Sequence, residues 1–437
     1  MLKMIKSSMI PFILSATLLA GCAPGGGASS EEQRSPASEG FTGEAPAPTG
    51  SDPSSVASGT VPSTSTLPVS PEPVAAGKSR GIRVDPGYFY SSHPGMSVDD
   101  VARDVVNTVK NARGNTLYLY AYNTIHGALY PTNYSQTTVE PGYGTQNVFG
   151  AVTVEAKRQG LKVVAVVPLN NFKTIWENNP AWRSKQAGGA DYVPLAETFL
   201  LSASHPDYRA WYTGFLKDLI ARNPQIDQVE AVEPTMDYSW NGVPDQNPAA
   251  LNRLRAAYPG ASVGSQEWLN FRTNEFLSLI TLFNQTVHAG GKQTALVHTW
   301  TVTGDGHLSD ATAIKNSTGF DWIAVSKLTG ASKTDHLVSE FIWQQWFSTF
   351  GTTVFNPDWI TSIAAEYNNI LKNAGATSNL IIHVEISNFA GAYNSTRPTN
   401  DQFGQTMANT AKLSNSVSVY DFNQIKNLGA FGELSKW

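Results

Sequence analysis

The stretch Leu161-Lys162-Val163-Val164-Ala165-Val166-Val167-Pro168-Leu169 decides the fold. It is apolar at nearly every position rather than at alternate ones, so it reads as a strand covered on both faces. The residues before it, Val148 to Gln159, have helical periodicity and stop at Gly160. Helix, glycine stop and doubly buried strand in immediate succession are the repeating unit of a parallel sheet.

Outward from this stretch the unit recurs. Strand-like runs fall at 81–86, 116–122, 161–169, 228–233, 293–301, 320–327, 379–386 and 417–422. Helical periodicity is read at 98–112, 148–159, 206–222, 248–257, 273–289, 334–348, 358–374 and 400–414. Eight strands with a crossover helix after most of them predict an α/β fold, a (β/α)8 TIM barrel in a single domain over residues 80–437. The rival is a doubly wound open sheet, which usually carries a glycine-rich loop after its first strand. Asp85-Pro86-Gly87-Tyr88 has no such pattern. No cofactor is expected.

The N-terminal region is of another kind. Lys3 and Lys6 precede an apolar run from Met9 to Ala20, and Leu18-Leu19-Ala20-Gly21-Cys22 closes it. This is secretory signal architecture, too short and wrongly flanked for a spanning helix. The ending resembles a bacterial lipoprotein lipobox. That resemblance implies removal of residues 1–21 and lipid attachment at Cys22, the one cysteine of the chain. Residues 22–79 are mostly Gly, Ser, Pro, Ala, Thr and Glu, a composition that cannot offset the entropy of ordering, and read as a disordered tether. The expected location is the bacterial cell envelope, facing the periplasm or the exterior, with the membrane touched through the lipid only.

Composition excludes several functions. The chain carries a formal charge of −5 with no basic block, so nucleic acid is not an expected partner. The single cysteine at the lipobox leaves no disulfide, thiol nucleophile or thiolate metal site in the folded part. A monomer is expected.

In a β/α barrel the chemistry sits at the C-terminal ends of the strands. Reading those ends gives Asp85, Tyr120, Glu233 with Asp237 beyond it, His298 and Trp300, Lys327, Glu385, and Asp421. Carboxylates with aromatic faces suit a carbohydrate, whose C–H faces stack on rings and whose hydroxyls need planar acceptors. Tyr88, Trp240, Trp268 and Trp300 are the candidate platforms. Cleaving a glycosidic bond needs two carboxyl groups across it. Glu233 and Glu385, at the ends of strands four and seven, form the best pair. Asp85, Tyr120, Asp237, His298, Trp300 and Asp421 are read as substrate-binding. Strand alternation sets Glu230 on the opposite phase from Glu233, toward the helix layer or a salt bridge. No metal is assigned, because the H-x-H spacing of many metal-dependent barrels is missing after strand one. A metal-dependent deacetylase or hydrolase using His298, His383 and these carboxylates stays an alternative, as does a non-catalytic carbohydrate-binding lipoprotein.

Arg80-Gly81-Ile82-Arg83, Asn179-Pro180-Ala181-Trp182-Arg183, the run from Leu201 to Arg209, and Glu233-Pro234-Thr235-Met236-Asp237-Tyr238 together resemble bacterial glycosyl-hydrolase-like barrel proteins. The resemblance covers nearly all of 80–437 as an ordered set of weak motifs. It implies a retaining hydrolase in which Glu233 is the acid/base and Glu385 the nucleophile. Val232 stands where many such barrels have Asn before the strand-four Glu.

The N-terminal reading has a direct check. Cys22→Ser is expected to abolish incorporation of labelled palmitate and to release the protein from the membrane fraction. Palmitate retained by the variant would refute the lipidation.

Overall fold

A computed structural model of the chain describes residues 77–85, 87, 90, 93–140, 146–194, 198–232, 234–298, 303, 307–342, 357–385 and 398–437. Residues 1–76, which include Cys22 and the segments read as signal and tether, lie outside the described residues, as do Tyr88, Glu233 and Trp300. Glu385 is described as backbone only.

Eight parallel strands close into a barrel: β1 (Ser79–Val84), β2 (Thr116–Tyr120), β3 (Lys162–Pro168), β4 (Gln228–Val232), β5 (Gln293–His298), β6 (His336–Ile342), β7 (Asn379–Glu385) and β8 (Ser416–Tyr420). Each pairs with its neighbours in chain order, and β1 closes on β8 through Ile82↔Val419. A two-stranded ladder, Tyr122–Asn123 with Gly127–Ala128, follows β2. The helices are α1 (Val98–Asn111), α2 (Val148–Arg158), α3 (Lys173–Asn178), α4 (Pro206–Arg222), α5 (Pro248–Ala257), α6 (Gln266–Ala289), α7 (Ala311–Thr318), α8 (Trp322–Ser326), α9 (Pro357–Asn373), α10 (Asn400–Leu413) and α11 (Phe422–Asn427).

Local chemistry starts these helices where they start. Ser97 caps α1 by accepting from the Asp100 amide, with Asp99 and Asp100 in the first turn and Lys110 in the last, as the helix dipole favours. Its buried side is Val101, Ala102, Val105, Val106 and Val109, one apolar stripe. Ser265 caps α6, which therefore begins seven residues before the apolar periodicity at 273 becomes obvious.

Strand six is a correction. The apolar run Phe320–Lys327 was expected to be a strand and 334–348 a helix. Instead Asp321 accepts from the Ala324 amide and opens the one-turn helix α8, which buries Trp322, Val325 and Ser326. The barrel strand is His336–Ile342, paired to β5 and β7. A short apolar run does not distinguish one helical turn from a strand. The true strand carries Ser339 and Glu340, which broke its apolar pattern. Lys327 consequently ends a helix and not a strand.

The wall has two faces. Val163, Ala165 and Val167 of β3, with Val229 and Ala231 of β4, join the large core between barrel and helices. Inside the barrel, Val164, Val166 and Val232 pack with Tyr118, and Ala295, Val297, Val338 and Ile381 form a second apolar patch. Beside them lies a polar group. Arg83 Nη1 donates to Glu230 Oε1, its Nε donates to His383 Nδ1 at 3.3 Å, and its guanidinium stands 4.8 Å from the Tyr118 ring centroid. Ser418 Oγ is 2.9 Å from the same His383 nitrogen. Gly81 is required by this packing, since a Cβ there would fall 2.3 Å from Tyr118 Cε2.

Glu230 is the second correction: it points into the barrel, and Val229 and Ala231 face the helices. The salt bridge expected of it is present, with Arg83. Arg83 is 2% and Glu230 0% exposed. Burial works against the guanidinium's charge, but Glu230 outweighs it and holds Arg83 ionised. Burial pushes the Glu230 carboxyl up, and Arg83 holds it back.

Removing one member of such a pair leaves an uncompensated buried charge. Arg83→Met and Glu230→Gln are each expected to lose roughly 3–5 kcal/mol in denaturant unfolding, and the double variant Arg83→Met/Glu230→Leu markedly less. Single variants as stable as wild type would exclude the pair as a structural brace.

Candidate active site at the barrel mouth

The C-terminal ends of the strands gather the candidate residues unevenly. Asp85 follows β1, half-buried, and its Oδ1 accepts from the Gly87 amide at 2.9 Å. Tyr120 ends β2 and meets Tyr420, the end of β8, edge to face with centroids 6.4 Å apart. Asp421 follows Tyr420 and caps α11, accepting from the Gln424 amide at 2.7 Å. Glu385 ends β7, in register with Tyr420 and with Ile342 of β6. Strand β4 is described as far as Val232, and Glu233 beyond it lies outside the described residues.

Electrostatics tie Asp85 to two other carboxyl groups. Glu140, in the loop after the Tyr122–Ala128 ladder, is pushed up from 4.5 to about 7 by burial and by the charge of Asp85. Asp421 is pushed up from 3.8 to about 6 by burial, again with Asp85 adding. The mouth between β1, β2 and β8 therefore carries carboxyl groups that differ in protonation near neutral pH, an arrangement suited to acid/base work.

Three expected residues lie elsewhere. His298 is buried on the helix side of the wall, its ring stacked on Tyr367 at 4.5 Å and 9° and beside Trp322 at 5.6 Å. Its neighbours Ala295 and Val297 take the interior face, so alternation turns His298 outward. Asp237 is fully buried and saturated. It accepts from Tyr192 Oη at 2.5 Å, from Ser239 N at 2.8 Å and Oγ at 2.6 Å, from Gly242 N at 2.7 Å and from Asn241 N at 3.2 Å, with Arg272 Nη1 at 3.8 Å. It ties down the loop after β4 and has no capacity left for sugar hydroxyls. Trp268 is likewise core, packed on Ala250, Leu254 and Phe271, with its Nε1 donating to Gly242 O at 3.0 Å. Trp240 remains half-buried on that loop at φ 60°, a conformation bulky residues rarely adopt.

His298 and His383 thus stand on opposite sides of the wall and cannot share a metal ion. Among the described residues no group of three or more His, Cys, Asp or Glu is arranged to hold one.

Two carboxylates escaped the sequence reading. Glu140 sits in the loop after strand two, where any acid of a βα loop was a candidate. Glu340 was hidden in the segment read as a helix. It lies on β6 in register with His383, its side chain 16% exposed, with Oε1 3.9 Å from His383 Nε2. At the opposite end of the barrel, a cavity of about 800 Å³ opens among the strand starts, lined by Thr116, Lys162, Gln228 and His336. That is not the end where β/α barrels place their chemistry.

No family model matches the sequence, and no curated protein matches it. Among solved structures, the chain is similar to the PgaB (BpsB) glycoside hydrolase domain from Bordetella bronchiseptica. The TM-score is 0.63 at 15% identity, over 82% of this chain and 98% of that one. It is also similar to α-L-fucosidase isoenzyme 2 from Paenibacillus thiaminolyticus, with TM-score 0.55 and 12% identity, over 82% and 48% of the two chains. A third is the β-galactosidase of the psychrophilic Marinomonas ef1, with TM-score 0.52 and 11% identity, over 78% and 54%. The chain spans about half the length of the last two. These likenesses establish the fold as a closed eight-stranded barrel of the kind glycoside hydrolases use.

The raised carboxyl groups make a signed prediction. A carboxyl whose pKa is higher folded than unfolded binds its proton more tightly when folded. Its contribution to stability is full below the unfolded value and is lost as pH rises through about 6 for Asp421 and about 7 for Glu140. Glu140→Gln and Asp421→Asn, the latter still able to cap α11, are expected to melt above wild type at about pH 8, the gap closing toward about pH 5. Thermal melts across that range check it; a gap that widens on acidification would refute the electrostatic assignment.

Proposed function

We propose that this protein is a retaining glycoside hydrolase acting, from a lipid anchor at Cys22, on a polysaccharide of the cell envelope or its surroundings. The observation that carries the reading is the mouth itself. Asp85, Glu140 and Asp421, electrostatically linked and differing in protonation near neutral pH, lie with the tyrosine pair Tyr120 and Tyr420 at the catalytic end of a barrel shared with glycoside hydrolases.

Glu233 acts as general acid on the glycosidic oxygen while Glu385 attacks the anomeric carbon. Water then resolves the glycosyl-enzyme, with Glu233 now accepting the proton. The mechanism calls for carboxyl groups about 5–5.5 Å apart. Asp85, Tyr120 and Asp421 bind hydroxyls, and Trp300 offers a stacking face. Asp237 and His298 take no part in this set, since one is saturated by its own loop and the other faces the helices. The chain works as a monomer, without a metal, a cofactor or nucleic acid.

The test is digestion of a glycan panel by wild type, Glu233→Gln and Glu385→Gln, with the product anomer read by NMR. Wild type is expected to cleave at least one glycan with retention, and each variant to lose about 10²–10⁴-fold in rate. Undiminished activity in both variants would overturn the pair. Binding without cleavage by wild type would favour the non-catalytic carbohydrate-binding reading.

A further inference from the structure

The end of the barrel away from the mouth has chemistry of its own. The first residue of every strand, from Ser79 of β1 to Ser416 of β8, is polar, and all eight line the cavity of about 800 Å³ there. They bring three side-chain amides, three hydroxyls, Lys162 and His336 to one rim. Tyr118, Val164 and Ile381, each no more than 2% exposed, form the floor. The buried Arg83–Glu230 pair lies beyond that floor, on the way to the mouth. A cup of this volume takes a small molecule.

Strand ends that meet water are commonly polar, but two of these groups are withdrawn from it. Gln228 is 7% exposed, and its Nε2 has no hydrogen-bond partner. His336 Nδ1 is buried and unpartnered as well. Buried polar atoms left unpaired are costly, so a bound group that pairs with them is favoured.

Charge says which group. Among the described residues of the lining the one acid is Asp227, and it is fully engaged. Lys157 Nζ stands 2.8 Å from both its oxygens, and the Val163 amide donates to Oδ2 at 2.7 Å. Lys78 and Lys162 line the same cup and have no carboxylate partner among the described residues. Burial pushes the His336 imidazole down; Asp335 opposes this, and Lys162 and Lys333 add to it. Asp335 is itself held by His288 Nε2 and by the Thr294 amide. The rim thus offers N–H donors with an excess of positive charge, which suit an oxyanion, among amides and hydroxyls that suit a hydroxylated body.

We propose that this cup is a second binding site, for a sugar that carries an oxyanion: a uronate carboxylate or a sugar phosphate. Lys162 pairs with the anion. The Gln228 amide and the His336 ring, each carried on a broad last torsion, donate to it. Gln293, Asn379 and the rim hydroxyls take the ring hydroxyls. The site lies one strand length, about 20 Å, from the mouth and does not depend on the glycoside reading.

The experiment combines amine footprinting with titration calorimetry on the whole protein. The probes are trigalacturonate, glucose 6-phosphate, inorganic phosphate and neutral maltotriose, all at one ionic strength. Acetylation by an N-hydroxysuccinimide ester is read lysine by lysine by mass spectrometry. Trigalacturonate or glucose 6-phosphate is expected to protect Lys78 and Lys162 and to leave the exposed Lys217 and Lys372 unprotected. Which of the two protects identifies the anion. Lys162→Gln is expected to weaken that probe roughly 10- to 100-fold, the loss of a charged hydrogen bond, with the melting temperature held because Lys162 is exposed. Gln228→Leu is expected to weaken it too, while the free protein melts no lower, since a buried amide nitrogen without a partner is removed. Lys162 unprotected by both acidic probes, equal affinity for maltotriose or for inorganic phosphate, or unchanged affinity in Lys162→Gln overturns the proposal. None of these outcomes bears on Glu233 and Glu385.

Discussion

The Arg83–Glu230 pair at the centre of the barrel is the constraint on which the rest depends. Two opposite charges with almost no exposure are stable only while both are present and aligned. That requirement fixes the facing of β1 and β4 relative to one another, and through His383 and Ser418 it extends to β7 and β8. A one-residue slip of any of these strands would turn its polar member out into the apolar layer between wall and helices. The pair thereby specifies register in a barrel whose other interior residues are largely interchangeable aliphatics.

The same pair is connected to polar residues nearer the C-terminal ends of the strands. Arg83 Nε donates to His383 Nδ1 at 3.3 Å, and His383 Nε2 lies 3.9 Å from Glu340 Oε1 on the neighbouring strand. Around the mouth the strands deliver Asp85, Tyr120, Tyr420 and Asp421 to one side, between β1, β2 and β8. The loop after β4 is held from below by Asp237, which ties its turn to Tyr192 and Arg272. Asp237, read from the sequence as substrate-binding, is spent on holding this loop.

The legible part of the fold was the part with clean periodicity. β3 and β7 were readable because valine, isoleucine and leucine run through them, and α1, α2 and α10 because their caps and apolar stripes agree. Strand six was misread because Glu340 breaks the apolar pattern, while Asp321-Trp322-Ile323-Ala324-Val325 mimics a strand in one helical turn. Reading strand ends brought Asp85, Tyr120 and Asp421 to one side of the mouth. Asp237 and His298, read by the same rule, lie in a saturated loop and on the helix side of the wall, because a strand-end position does not reveal which side of the wall a side chain takes or how many donors already surround it.

The amino-acid sequence by itself determined the barrel and, outside residues 320–348, the order of its strands and helices, because these follow from local periodicity and from the rule that parallel strands need covered faces. It also carried the N-terminal reading centred on Cys22, which is a matter of adjacent residues. Only the tertiary structure decided which polar residues face inward. Glu230 turned from the helix layer to the core, His298 went the other way, and Glu340 appeared on a barrel strand. The physical reason is that facing, burial and saturation are set by partners roughly 150 to 300 residues away, as Glu230 and His383 are from Arg83, and no local pattern records them.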